Sequence, residues 1–376
     1  MKIGIITIHS IINYGSALQA YALTKYINSN THHNAEVIDY IYPNKFHKEK
    51  KTFFKKIRGI GRICYEILFK KFIIKRILFK RFVKNEIPLS ANKYNSIKKI
   101  NKKPPQYDLY ITGSDQVWNP NTLMGDPTYY LNFVPYDKNK IAFSASFAIK
   151  EINTEHKLKI REYLSQYSYI GIREKTGISI LKDLNLPNHI KISNTCDPTL
   201  LVDTSTYIAL SKKSSININY KYILVYHLDY AFNPYPALNE VINIIEDKYK
   251  LPIIIIGSYK IKYKGIYKTY ENLGPYEFLY LFKNAEYIIT SSFHGTIFSI
   301  IFRQKFNSII PDTKSKDTRI QDLLNCLGLT ESGIHSDTIE PQIKFSNPYT
   351  EEVEKNITEY KKHSMSFLLS SLKNNL

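Results

Sequence analysis

Glu286–Phe302 reads EYIITSSFHGTIFSIIF. The part before Ser291 is short, apolar and rich in β-branched residues, which is the composition of a buried strand. The part after His294, GTIFSIIF, reads as a helix. Ser291 to Gly295 therefore stand where a strand ends and a helix begins. That junction is the repeating unit of a parallel α/β sheet, and ligands of such sheets bind at the carboxyl ends of the strands. Helix N-termini present free N–H groups and partial positive charge. The stretch thus predicts both a fold class and a site suited to a small anion.

The same grammar extends in both directions. KIGIIT near the N-terminus reads as a strand, SALQAYALTKYI as a helix with Ser16 placed to cap it, and AEVIDYI as a second strand. YDLYITG, KIAFSAS and YIGIRE read as further strands, with a helix from Lys175, and KISNTCDPTLL as a short strand and turn closing the first half. A second α/β series starts near Lys221: YILVYHL, PIIIIGS, EYIIT and KFNSII as strands, with helices after Pro236, from Pro275, after Gly295 and over TRIQDLLNCLG. The stretch from Tyr349 to Leu372 reads as one long helix. The reading divides the chain into a Rossmann-like domain over 1–205, a second over 206–345 and a C-terminal helix over 346–376. There is no tandem repeat beyond the two similar halves and no Gly/Ser-rich linker.

The 376 residues suit two domains. No apolar run approaches the roughly 20 residues that span a bilayer. The N-terminal MKIGIITIHS lacks a secretory pattern. Cys64, Cys196 and Cys326 show neither zinc spacing nor a disulfide framework, and the histidines show no metal-ligand pattern. These features predict a cytoplasmic protein without a metal site. The net charge is +19, and Lys45 to Lys84 holds fifteen Lys or Arg against two acids, Glu49 and Glu66. An insert over about 45–100 thus reads as one or two basic amphipathic helices. Packing on the sheet with attraction to an anionic membrane is the favoured reading, through 45–84. No nucleic-acid motif supports the alternative partner.

Three strand-end junctions carry polar residues: HSIINYGS, TGSDQVWNP and TSSFHGT. Each also reads as an ordinary turn, since Gly, Asn, Asp and Ser form turns. GSDQVWNP holds the only Trp, Trp118, beside Asp115, Gln116 and Asn119. That set reads equally as a sugar platform or as a core ring with Asp115 capping a turn. His294 reads as an acid/base or as a histidine bonded to a tight turn; His9 stands at another strand end. Arg173 ends a buried strand and needs a partner, either Glu174 or an anionic ligand. Lys314 follows a strand and reads as an anion ligand or a solvated side chain.

Taken together, these junctions resemble the polysaccharide pyruvyl transferase family. The matching stretches are NYGSALQAYAL (13–23), DLYITGSDQVWNP (108–120), GIREKTG (171–177), CDPTLL (196–201), LGPYEFLYLFKNAEYIITSSFHGTIFSIIF (273–302) and DTRIQDLLNCLGL (317–329). The insert and the C-terminal helix match only loosely. The resemblance implies two Rossmann-like halves facing across a cleft, as in GT-B glycosyltransferases. It implies transfer of a pyruvyl group from phosphoenolpyruvate, a co-substrate rather than a cofactor, to two hydroxyls of a sugar. Acceptors in the family are surface glycans or their lipid-linked precursors. His294 matches the motif histidine, and Asp115 is expected to orient or deprotonate an acceptor hydroxyl. Donor binding is expected from Arg173, Ser291, Ser292, Gly295, Thr296 and Lys314. Acceptor binding is expected from Asn13, Tyr14, Gly15, Ser114, Gln116, Trp118 and Asn119. One position departs: many members carry Arg where this chain has Ser292, although a closer subgroup also has Ser-Phe-His. A nucleotide-sugar glycosyltransferase of the same architecture is the competing function.

Overall fold

The computed structural model describes residues 1–41, 62–123, 125–228, 231–257, 263, 265–312, 315 and 317–375. The first half runs Lys2–Ile6 (β1), Tyr14–Asn30 (α1), Asn34–Tyr40 (β2), Arg62–Glu86 (α2), Leu89–Tyr94 (β3), Ile97–Lys102 (α3), Leu109–Thr112 (β4), Pro120–Leu123 (α4), Asn139–Ala145 (β5), Thr154–Leu164 (α5), Tyr169–Ile172 (β6), Lys175–Asp183 (α6) and Lys191–Asn194 (β7). Its strands form one sheet in the order β3-β2-β1-β4-β5-β6-β7, every neighbour parallel.

The second half runs Thr204–Ser211 (α7), Ile223–Tyr226 (β8), Ala237–Tyr249 (α8), Ile253–Ile256 (β9), Tyr267–Tyr270 (β10), Pro275–Asn284 (α9), Tyr287–Thr290 (β11), Phe293–Ile301 (α10), Phe306–Ile310 (β12), Arg319–Leu327 (α11), Gly333–His335 (β13) and Glu351–Lys373 (α12). Its sheet has the order β10-β9-β8-β11-β12-β13, again parallel. Two doubly wound units therefore stand side by side.

Strands β4, β8, β9 and β11 are buried at every residue, as parallel strands covered by helices on both faces must be. Where the strands depart from the sequence reading, the departures lie at sheet edges. The insert is not helical throughout: α2 is followed by β3, which extends the sheet beside β2. β10 and β13 also went unread. All three are edge strands, largely exposed or half-buried, and carry no apolar run. The part of the insert at 42–61 lies outside the described residues.

Two helix starts also differ. Helix α1 begins at Tyr14, and its cap is Asn13, whose Oδ1 accepts from the Ser16 N–H at 3.1 Å. Ser16 is inside the helix, so its hydroxyl is released for another partner. Helix α10 begins at Phe293, so His294 lies in its first turn rather than before it.

The two units meet through aromatic rings. Tyr14 stacks on Phe278 of α9 with centroids 4.6 Å apart, and lies 5.1 Å from Phe79 of α2 and 5.8 Å from Tyr226 of β8. Its hydroxyl donates to the Leu273 carbonyl at 3.2 Å. Such ring pairs contribute about 0.5–1.5 kcal/mol each beyond area burial. Helix α2 lies along this seam, with Phe82 5.2 Å from Tyr276 of α9 and Glu86 accepting from Lys213 at 2.6 Å. Helix α12 ties the units a second time. Near its start Glu354 pairs with Arg303 at 2.6 and 2.8 Å. Two turns later it reaches the first unit, where Ser364 Oγ accepts from the Cys196 N–H at 2.8 Å and Tyr360 donates to Asn194 at 3.2 Å.

Lys75 of α2 points into the seam, its Nζ 5.2 Å from the Tyr14 ring centroid. Burial pushes its pKa down to about 8, against the opposing pull of Glu271. In the unfolded chain a lysine holds its proton to about pH 10.4. Between those values the unfolded state binds more protons, so this group's contribution to stability rises with pH. Comparing Lys75→Met with the parent by urea unfolding should show the difference shifting toward the parent from pH 8 to pH 10. A pH-independent difference would place Lys75 in solvent.

Candidate active site

The polar residues after β11 build the start of α10. Ser292 Oγ accepts from the Gly295 N–H at 3.3 Å, and its carbonyl accepts from the Thr296 hydroxyl at 3.1 Å. The Thr296 hydroxyl also meets Ser308 Oγ at 2.7 Å, and Ser291 Oγ accepts from the Leu228 N–H at 2.8 Å. These hydroxyls are engaged by the protein itself. Their visible work is to fix the turn that carries His294. A Cβ on Gly295 would come within 2.2 Å of Thr290 Oγ1, so that glycine lets the helix close on its own strand.

Gly15 serves the histidine. A Cβ there would lie 1.9 Å from His294 Nδ1, so the imidazole of the second unit is seated on the bare backbone of α1 in the first. The two helix starts thus meet face to face across the seam.

Beneath the imidazole lies Asp197, fully buried after β7. Its Oδ1 accepts from the Thr199 N–H at 3.1 Å and hydroxyl at 2.7 Å, capping the turn Pro198–Leu200. Its Oδ2 accepts from Ser114 Oγ and Arg173 Nη1, both at 2.9 Å. His294 Nε2 is 3.4 Å from the same oxygen, within ion-pair reach but off hydrogen-bond geometry. Burial pushes the Asp197 carboxyl up, yet His294 and Arg173 outweigh it and hold it well below the usual carboxylate range.

Arg173 therefore pairs with Asp197, not with its chain neighbour. Glu174 turns away, its Oε1 accepting from the N–H groups of Phe147 at 2.8 Å and Ala148 at 3.2 Å. Burial pushes the Glu174 carboxyl up despite Arg173. The Arg173 guanidinium carbon is 4.3 Å from the Phe293 ring centroid. Its Nε and Nη2 are buried without a protein partner, as are Ser146 Oγ and Glu174 Oε2. Buried polar atoms are paired in the large majority of cases, so this concentration at the ends of β5 and β6 needs an explanation.

Asp115 follows β4 with φ +81°, a left-handed conformation uncommon for a residue with a side chain. Its Oδ2 accepts from Ser16 Oγ at 2.5 Å and its Oδ1 from the Gln116 N–H at 2.8 Å. Asn119 donates to the Gln116 amide oxygen at 2.8 Å; with the amide turned over, that oxygen faces Arg319 Nη1 and Nη2 at 2.8 and 3.0 Å. Arg319 is held by Asp317 at 2.8 and 2.5 Å and lies 5.8 Å from the Phe293 centroid.

The structure brings His294, Arg173 and Ser114 together around Asp197, with Asp115, Gln116 and Asn119 alongside. It does not bring Trp118 there. That ring is 1% exposed, stacks on Tyr130 at 5.7 Å and donates to the Tyr129 carbonyl at 3.2 Å. Its faces are covered by protein, so of its two readings the core one holds. Tyr14 is likewise a seam residue, and Asn13 a helix cap. His9 is buried against Asp39 at 3.2 Å. Lys314 lies outside the described residues. Among the described residues no group of three or more His, Cys, Asp or Glu is arranged to hold a metal.

Sequence reading missed Asp197, Ser16, Glu174 as a buried acid, and Arg319. Asp197 left a signal: an acid followed by proline directly after a strand, in the same position as Asp115. Arg319 left a weaker one, a lone Arg at the start of an amphipathic helix with Asp317 two residues before it.

The sequence signature described as Polysaccharide pyruvyl transferase matches residues 13–313. The chain belongs to this family. No sequence among the curated proteins matches closely enough to count as a relative. Among solved structures, a UDP-N-acetylglucosamine 2-epimerase superposes with a TM-score of 0.53 at 9% identity, covering 98% of this chain and 95% of that one. The UDP-GlcNAc 2-epimerase of Neisseria meningitidis, bound to UDP-GlcNAc, gives 0.50 at 12% identity over 98% and 100%. The N-terminal domain of Candida albicans trehalose-6-phosphate phosphatase gives 0.50 at 12% over 100% and 99%. These likenesses establish the GT-B-like fold of this family member.

Asp197→Asn should be strongly destabilising, by about 3–5 kcal/mol, because it leaves Arg173 buried without its counter-charge. The native carboxyl titrates far below its unfolded value of about 3.9. Its contribution is therefore full above that pH and is lost on acidification. Denaturant melts of parent and variant should differ by a constant amount at neutral pH and converge below about pH 4. A variant as stable as the parent at pH 7 would remove Asp197 from the centre of the site.

Proposed function

We propose that this protein transfers a pyruvyl group from phosphoenolpyruvate to two hydroxyls of one sugar, forming a cyclic ketal and releasing phosphate. The acceptor in this reading is a sugar of a cell-surface polysaccharide, capsular or exopolysaccharide, or its polyprenyl-linked precursor at the cytoplasmic face of the membrane. Phosphoenolpyruvate is a co-substrate, and no cofactor is invoked.

The observation that carries the reading is the free edge of Arg173. Its Nη1 is committed to Asp197, while Nε and Nη2 are buried with no protein partner. That edge is a fork matched to a carboxylate or phosphate, and phosphoenolpyruvate has both. An anion seated there removes the desolvation cost of two unsatisfied donors. Family membership supports the same donor. Ser292 in the place of an arginine leaves Arg173 as the principal described cation for this role, with Arg319 across the Phe293 ring.

The chemistry follows. A proton goes to the methylene carbon of phosphoenolpyruvate, which becomes a methyl group. One sugar hydroxyl adds to the neighbouring carbon and loses its proton. The second hydroxyl then forms a bond to the same carbon as the bond to phosphate breaks, and its proton leaves on the departing phosphate. His294 is assigned the proton delivery, from Nε2, which has no hydrogen-bond partner in the protein and lies 3.4 Å from the Asp197 carboxylate that would balance the imidazolium charge. Asp115, fixed by Ser16, is assigned to orient or deprotonate the acceptor hydroxyl.

Thermal melting with phosphoenolpyruvate tests the donor. The parent should gain on the order of 2.7 kcal/mol at a hundredfold excess over Kd. Arg173→Lys keeps the charge beside Asp197 but lacks the fork, and it should lose most of that gain. A shift with UDP and none with phosphoenolpyruvate would overturn the reading in favour of a nucleotide-sugar glycosyltransferase.

A further inference from the structure

Helix α2 has two faces. Phe79 and Phe82 are buried along the seam. At 100° per residue, Ile73, Arg76, Ile77, Lys80 and Lys84 share the opposite face. Phe72, Ile73, Ile74 and Ile77 are 38%, 39%, 37% and 56% exposed, which gathers four large apolar side chains within six residues. Elsewhere among the described residues, large exposed apolar side chains occur singly or as the pair Ile266 and Tyr267. Arg76, Lys80, Arg81 and Lys84 are exposed around them, and no acid lies between Phe72 and Lys84.

We propose that this outer face of α2 is a docking surface for an anionic lipid bilayer. Charge complementarity identifies the partner. The cations face phosphate headgroups, each strengthening attachment to a negatively charged surface, while the isoleucines enter the acyl boundary. A nucleic acid would use the cations but not the isoleucines; its bases stack on aromatic rings, and among the described side chains of α2 Phe72 is the one exposed aromatic. No described helix is long and apolar enough to cross a membrane, so the contact is peripheral. Because α2 lies along the seam between the two units, docking sets the cleft beside the bilayer, where a lipid-linked sugar would be presented. The surface is independent of the donor site, and its test needs no turnover.

The test is sedimentation of the purified full chain with vesicles. One set is phosphatidylcholine alone; the other is two parts phosphatidylcholine to one part phosphatidylglycerol. The chain should pellet with the anionic set only, and high salt should release it. Arg76→Gln, Lys80→Gln, Arg81→Gln and Lys84→Gln combined should weaken partitioning at least about 100-fold. Ile73→Ser with Ile77→Ser should weaken it roughly 10-fold or more while leaving its salt dependence unchanged. These substitutions are on an exposed face, and an unchanged melting temperature confirms an intact fold. The proposal is overturned if the parent stays in the supernatant with anionic vesicles. It is also overturned if the four-Gln variant pellets like the parent, or if the isoleucine variant does so while duplex RNA competes the protein off the vesicles.

Discussion

A carboxylate in a protein interior is stable only when its charge is met, and Asp197 is met from both halves of the molecule. Ser114 reaches it from the end of β4, Arg173 from the end of β6, and His294 from the first turn of α10. The first two belong to one sheet and the third to the other. The docking of the second unit on the first is therefore tied to this charge. Gly15 lets His294 approach closely enough, and the ring cluster around Tyr14 supplies the apolar packing beside it. Structural and chemical roles coincide: the group that satisfies Asp197 also leaves one edge of its guanidinium unpaired.

The alternation of buried strands and amphipathic helices was legible because parallel strands covered on both faces are nearly continuous apolar runs, as in Ile253–Ile256. The edges were not. LSANKY, YKTY and GIH face solvent over much of their length and join their sheets through backbone hydrogen bonds, which leave no mark on side-chain pattern. The cap of α1 was misassigned by three residues because Asn13 and Ser16 are both good caps; the structure uses Asn13 and gives Ser16 to Asp115.

At the site, strand-end position was a reliable guide to location but a poor guide to role. It picked out His294, Arg173, Ser114 and Asp115, which the fold gathers. It also picked out Trp118, which aromatic packing draws into the core, and Ser291, Ser292 and Thr296, whose hydroxyls build the turn. The pairing of Arg173 was beyond reach, because its neighbour Glu174 was the nearer acid in sequence and Asp197 the nearer in space. Arg319 comes from the start of α11 and lies near the same ring as Arg173. That convergence depends on how α11 packs beside α10, which spacing along the chain does not encode.

The claim on which the functional account rests is that the unpaired edge of Arg173 is the anion seat. A crystal structure of the protein with phosphoenolpyruvate tests it most directly. The account predicts carboxylate or phosphate oxygens within hydrogen-bond distance of Arg173 Nε and Nη2, with the methylene carbon turned toward His294. An anion bound elsewhere in the cleft, with that edge of Arg173 facing only water, would contradict it.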